Sequence, residues 1–177
     1  EVMARAYADR SRWLGDPDHY PVPVEGLVGK DYAKTLRASI RREQKSVVLP
    51  GMPPGGKESD DTTHFSVVDK DGNAVACTTT INSTFGAMVV VDGAGFLLNN
   101  EMDDFSAKPG VPNQFGLVGG KANAIAPGKR MLSSMTPTIV LEKGELRLVL
   151  GAPGGGRIIT AVLQVLLNSV DFGMGLE

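Results

Sequence analysis

At 177 residues the chain is long enough to bury one real core, and a net charge of −2 with a pI near 5.7 leaves no electrostatic footprint for nucleic acid. No apolar run reaches the ~20 residues that a membrane helix needs, and a single cysteine excludes an internal disulfide framework. The excess that informs is glycine, 22 residues in clusters, which implies tight turns and exposed backbone amides.

Residues 1–14 carry helix formers with apolar residues at helical spacing and stop at Gly15-Asp16-Pro17. Asp31 reads as the N-cap of a second helix running to about Arg42, with Tyr32, Leu36 and Ile40 four residues apart. Residues 43–61 lack periodicity, are rich in charge, and hold Pro50, Pro53 and Pro54, as expected of a loop or linker. Residues 51–57 match the first seven positions of a phosphate-binding loop. The eighth position, Ser or Thr where magnesium is held, is Glu58, and Pro53 and Pro54 have no amide to donate, so nucleotide binding is rejected.

After the linker the period changes to two. Residues 62–69 and 74–80 read as strands around Lys70-Asp71-Gly72-Asn73, a hairpin signal. Short apolar runs follow at 88–91 and 95–98, then the polar Asn99-Asn100-Glu101-Met102-Asp103-Asp104 and a long Gly/Pro/Asn-rich loop over 108–130. Residues 138–141 and 146–150 form a second hairpin across Lys143-Gly144. Gly151–156 then leads into an almost wholly apolar helix over about 157–170, which should be buried, covered by sheet on one side and by chain outside these residues on the other. About six short strands are readable in all.

Thr62 opens the first strand directly after the flexible stretch. Cutting the Asp61–Thr62 bond would leave one residue with both a hydroxyl and a free α-amine. The hydroxyl needs a base to act as a nucleophile, and an α-amine titrating near ~7.7–8.0 is well matched to that task. His64 reads as a strand residue, with no companion ligands for a metal site. Asn82-Ser83-Thr84 is formally a glycosylation sequon.

Five ordered motifs resemble the γ-glutamyltranspeptidase family of N-terminal nucleophile hydrolases: Thr62-Thr63-His64-Phe65-Ser66, Thr78-Thr79-Thr80-Ile81-Asn82, the run Asn99 to Ser106, Leu132-Ser133-Ser134-Met135-Thr136-Pro137-Thr138, and Gly151-Ala152-Pro153-Gly154-Gly155. The resemblance implies an α+β fold, a four-layer αββα sandwich of which this chain holds part. It makes residues 1–61 the end of a large subunit and 62–177 the first part of a small catalytic one, both from a self-cleaving precursor. The chain is thus expected to be an internal piece, too short alone to fold stably or turn over substrate.

By the same resemblance Thr62 is the nucleophile, Thr80 supports it, and Gly154 and Gly155 form the oxyanion hole. Asn82, Glu101 and Asp104 hold the glutamyl α-amino and α-carboxylate groups, and Ser133 and Ser134 bind the α-carboxylate. An ammonium held away from water needs carboxylate partners, and Glu101 and Asp104 suit it. Residues from about Pro109 to Gly120 match a lid, with Phe115 where many relatives carry tyrosine. The arginine that grips the α-carboxylate in the family has no match in residues 1–61.

The implied reaction uses no cofactor or metal. Thr62 attacks a γ-glutamyl amide such as glutathione, and the resulting ester passes to water or to an amino acid or peptide acceptor. Relatives are commonly periplasmic, secreted or outward-facing on membranes, and a periplasmic or secreted compartment is the expectation here. The rivals are an acylase of the same superfamily acting on glutaryl-type side chains, and a catalytically silent relative serving as a binding protein.

Overall fold

The computed structural model describes residues 1–41, 43 and 61–175, so the phosphate-loop-like stretch and most of the predicted linker lie outside the described residues. Among the described residues no helix is long and apolar enough to cross a membrane. Two compact units form, Glu1–Lys57 with Met102–Leu132, and Glu58–Glu101 with Ser133–Glu177.

In the first unit, α1 (Val2–Trp13) forms where the helical spacing predicts. A short α2 (Val24–Val28) precedes α3 (Lys30–Ala38). The expected helix is corrected at both ends. Gly29, in extended backbone, takes the N-cap position, which puts Asp31 in the first turn. The helix stops at Ala38 because Ser39 turns back on it: its hydroxyl donates to the Leu36 carbonyl (2.7 Å), and the Ile40 amide reaches the Arg37 carbonyl (3.1 Å). The Tyr32 hydroxyl donates to the Asp9 carboxylate (3.0 Å), joining α3 to α1.

The chain leaves α1 through Asp16, which is buried. Its carboxylate accepts from the Arg130 amide (2.9 Å), Nε (3.1 Å) and NH2 (2.6 Å). These bonds hold the Asp16 carboxyl well below the usual carboxylate range. Phe105 and Ala122 supply the buried apolar residues of this unit.

The second unit is built on two hairpins. β1 (Thr63–Val68) and β2 (Ala74–Thr79) pair antiparallel with Thr63 opposite Thr79. Asp69 closes the turn, its carboxylate accepting from the amides of Asp71 and Asn73 (both 2.9 Å) and from Asn73 Nδ2 (2.7 Å). β3 (Thr138–Glu142) and β4 (Glu145–Leu150) form the second hairpin, with a bulge between Val140 and Leu141. Among the described residues the six expected strands are therefore four. Residues 88–98 make only an isolated bridge, Val90 to Leu97, because Gly86, Met88, Gly93 and Gly95 turn to positive φ within so short a stretch.

The apolar helix is also revised. A 3-10 turn (Gly155–Arg157) leads into α4 (Ile158–Leu166), and a π turn follows over Leu167–Asp171. Leu148, Ile158 and Val162 form this unit's buried apolar centre. Burial is one-sided among the described residues, since Val165 and Val170 stay 41% and 56% exposed. Helices and strands together make the fold α+β.

Candidate active site

Thr62 lies one residue ahead of β1 and is buried, only 8% exposed. Carrying the Thr63–Thr79 pairing one step further sets Thr62 across from Thr80. With the chain continuous through Asp61–Thr62, the Thr80 hydroxyl donates to the carbonyl oxygen of Asp61 (3.3 Å) and accepts from the Asn82 amide (2.9 Å). The resemblance has this hydroxyl supporting Thr62. Here it sits on the carbonyl that attack by Thr62 would turn into an oxyanion, a position from which a donor stabilises developing charge.

A web of carboxamides fixes that hydroxyl. Asn82 is buried and takes a left-handed backbone (φ +78°), which most side chains avoid. Its Nδ2 donates to the Asn100 carbonyl (3.1 Å), so as a glycosylation acceptor it is already engaged. The Asn100 side chain accepts from the Ser83 amide (2.9 Å) and donates to the Ser83 hydroxyl (3.0 Å). The sequence motif assigns Asn100 no role, although a pair of asparagines beside an acidic cluster marks it. Glu101 follows directly, its amide donating to Asn99 Oδ1 (3.0 Å), and opens a 3-10 turn that runs to Asp104.

The glycine-rich segment reaches the first hairpin through His64. The imidazole Nδ1 lies 2.8 Å from the Thr78 hydroxyl and Nε2 lies 3.1 Å from Ser66 Oγ. Ser66 commits its proton to the Val149 carbonyl (3.1 Å), so Nε2 is the donating nitrogen and Nδ1 accepts from Thr78. The ring occupies the space beside Gly151, where a Cβ would fall 2.2 Å from Nδ1. His64 is thus the strand residue it reads as, and also the wedge that seats the end of β4. Three residues on, Gly154 and Gly155 take φ of +123° and +51° at the head of the 3-10 turn and α4. Amides at such a turn suit an anion. Ser133 is exposed, its Oγ accepting from the Met135 amide (3.0 Å) as in a polar turn, while Ser134 is half-buried.

Asp104 belongs to the first unit, where its carbonyl accepts from Asn123 Nδ2 (2.7 Å). Burial draws the Arg10 guanidinium below its ordinary value, while Tyr7 and the Asp104 carboxylate oppose that shift. Arg10 is therefore a cationic neighbour of Asp104 that the sequence did not reveal. Asn123, buried, also accepts from the Leu132 amide (3.0 Å), so one side chain ties both ends of the loop that holds the lid-like segment. Within that segment Asn113 Oδ1 accepts from the amides of Phe115 and Leu117 (both 3.0 Å).

The family profile described as Gamma-glutamyltranspeptidase matches residues 1–177. The chain belongs to the γ-glutamyltranspeptidase family. The glutathione hydrolase proenzyme of Escherichia coli (strain K12) is 57% identical over 178 residues, covering 98% of this chain and 30% of that protein. A solved mutant, W525D, of the γ-glutamyltranspeptidase from Pseudomonas nitroreducens is 67% identical with a TM-score of 0.63, over 65% of this chain and 59% of that one. The cephalosporin acylase from Bacillus halodurans is 28% identical with a TM-score of 0.78, over 98% of this chain and 29% of that one. This chain spans about a third of the length of the curated relatives it matches, 31% and 30% of the first two. Its fold is that of the N-terminal nucleophile hydrolases.

Proposed function

We propose that this chain carries the self-cleavage site and the nucleophile of a γ-glutamyl-transferring enzyme made as a precursor. Residues 1–61 belong to its large subunit and 62–177 to its small one. The observation that carries the reading is the Thr80 hydroxyl, donating to the carbonyl oxygen of Asp61 beside a buried Thr62. Once the bond is cut, the Thr62 α-amine takes the proton of the Thr62 hydroxyl as that oxygen attacks the γ-carbonyl of a substrate such as glutathione. Amides of Gly154 and Gly155 hold the oxyanion, and a γ-glutamyl ester forms on Thr62 as the amine leaves with a proton. Water then releases glutamate, or the amine of an amino acid or peptide takes the acyl group.

Asn82, Glu101, Asp104, Ser133 and Ser134 hold the α-amino and α-carboxylate groups in this scheme. The compartment follows the family expectation, periplasmic or secreted. Intact mass of the complete precursor tests the reading. Two chains are expected, the second starting at Thr62, whereas Thr62→Ala remains one chain and is inactive. A Thr62→Ala precursor that still cleaves itself at this bond would overturn the assignment.

The likeness to the cephalosporin acylase along 98% of the chain favours a second reading, an acylase for glutaryl-type side chains. Asp104→Ala separates the two. A charge-assisted hydrogen bond contributes about 1.5–3 kcal/mol, so kcat/KM for a γ-glutamyl substrate should fall about ten- to a hundredfold. A glutaryl analogue without the α-amine should lose much less; equal losses on both would make Asp104 structural.

A further inference from the structure

Thr84 lies outside every role so far assigned, yet its hydroxyl donates to the Asp61 carboxylate (Oδ1, 2.8 Å). We propose that Thr84 is a positioning residue for self-cleavage, gripping the side chain of the residue before the scissile bond while Thr80 grips its carbonyl. The inference rests on the reading of Thr62 as a self-cleaving nucleophile and adds a residue that serves maturation alone.

Two points of attachment do what one cannot. The Thr80 bond (3.3 Å) locates the Asp61 carbonyl oxygen but leaves the residue free to pivot about it. A second bond to the side chain removes that pivot and fixes the orientation of the carbonyl group. Holding reactants in an attack geometry is where much of an intramolecular rate arises. Both gripping hydroxyls come from one short segment. Between them lie Asn82 and Ser83, themselves pinned to Asn100 at 3.1, 2.9 and 3.0 Å, so the clamp has a fixed base.

The step it serves balances as follows. Thr62 Oγ bonds to the Asp61 carbonyl carbon, the hydroxyl proton passes to the Thr62 nitrogen, and the carbon–nitrogen bond breaks. An ester joins Asp61 to Thr62 Oγ, with a free α-amine on Thr62. One water then splits the ester, leaving a new α-carboxyl on Asp61 and the hydroxyl on Thr62. Asp61 is no longer attached to the nucleophile after this, so Thr84 has no part in turnover. The side chain of Asp61 acts only as an acceptor, a role that an amide oxygen fills as well.

The test follows the chain that begins at Thr62, by gel and intact mass, in the complete precursor. Thr84→Val should slow its appearance by about tenfold, the loss of one charge-assisted bond near solvent. Thr84→Ser and Asp61→Asn should stay within about threefold of the parent rate, since each keeps the bond. Asp61→Ala should match Thr84→Val, and the double variant should be no slower than either alone. Per cleaved chain, kcat/KM of Thr84→Val should equal that of the parent. Unchanged cleavage in Thr84→Val, additive losses in the double variant, or an equal loss in turnover each overturns the clamp while leaving the nucleophile in place. Failure of the parent precursor to cut at Asp61–Thr62 overturns the nucleophile reading, and the clamp with it.

Discussion

One polar anchor from each unit shows two different chemistries. In the first, a buried carboxylate, Asp16, takes three bonds from Arg130 across a sequence separation of 114 residues. In the second, Thr80, Asn82, Ser83 and Asn100 hold one another through hydroxyls and carboxamides, none of which ionises in the ordinary pH range. An ionic anchor answers to acid and a carboxamide web does not. The groups around the proposed nucleophile therefore keep their geometry while the nucleophile's own α-amine titrates.

The largest effect expected from breaking an anchor is in the first unit. Asn123→Ala strands the Leu132 amide and the Asp104 carbonyl, each left without its buried partner at a cost of about 1–3 kcal/mol. A loss of about 2–6 kcal/mol should appear as a lowered urea midpoint together with faster hydrogen exchange at the Leu132 amide. Unchanged exchange there would mean that other groups hold the loop closed.

A smaller loss is expected where the second unit relies on fit. Gly151→Ala puts a methyl 2.2 Å from His64 Nδ1, and overpacking of this kind costs about 1–3 kcal/mol. Adding His64→Ala should restore part of that stability by vacating the space. If the double variant is as unstable as the sum of the two single ones, the ring is not what the glycine accommodates.

The mildest test is acid. The folded Asp16 carboxyl is depressed below its ordinary value of 3.8, so the stability it contributes is complete above that value and is lost as pH falls below it. Protection of the Arg130 amide, which donates to Asp16, should fall in that range. The Ser83 amide, held by Asn100, should show no matching loss from its own anchor. Equal acid sensitivity at both amides would erase the contrast between the anchors.

The sequence disclosed what is local. Alternation and the Asp71-Gly72 step gave both strands of the first hairpin to within a residue, since turn and register are set by neighbours. Residues 88–98 misled because their apolar runs are too short to declare a period, and their turns decide the outcome. Helical spacing carries α3 past Ala38 because it shows which residues share a face and not where the Ser39 hydroxyl turns back to the Leu36 carbonyl. Partners distant in sequence were not legible at all: Arg130 for Asp16, Arg10 for Asp104, Gly151 for His64. Of the site, the residue types around Thr62 were readable from the motifs. That Thr80 reaches the Asp61 carbonyl, and Thr84 its carboxylate, depends on how residues 80–84 leave β2 through a left-handed Asn82.

The Asp69 turn has a kinetic meaning. It closes a hairpin whose ends bring Asp61 and Thr80 together across only 19 residues. Joining Asp16 to Arg130 closes a loop of 114. On loop-closure entropy alone the longer join costs about 1.6 kcal/mol more. A hairpin forms in roughly 1–10 μs, far ahead of a contact of such high order. The Thr80 hydroxyl therefore reaches the Asp61 carbonyl among the first events of folding, well before Asp16 and Arg130 can join.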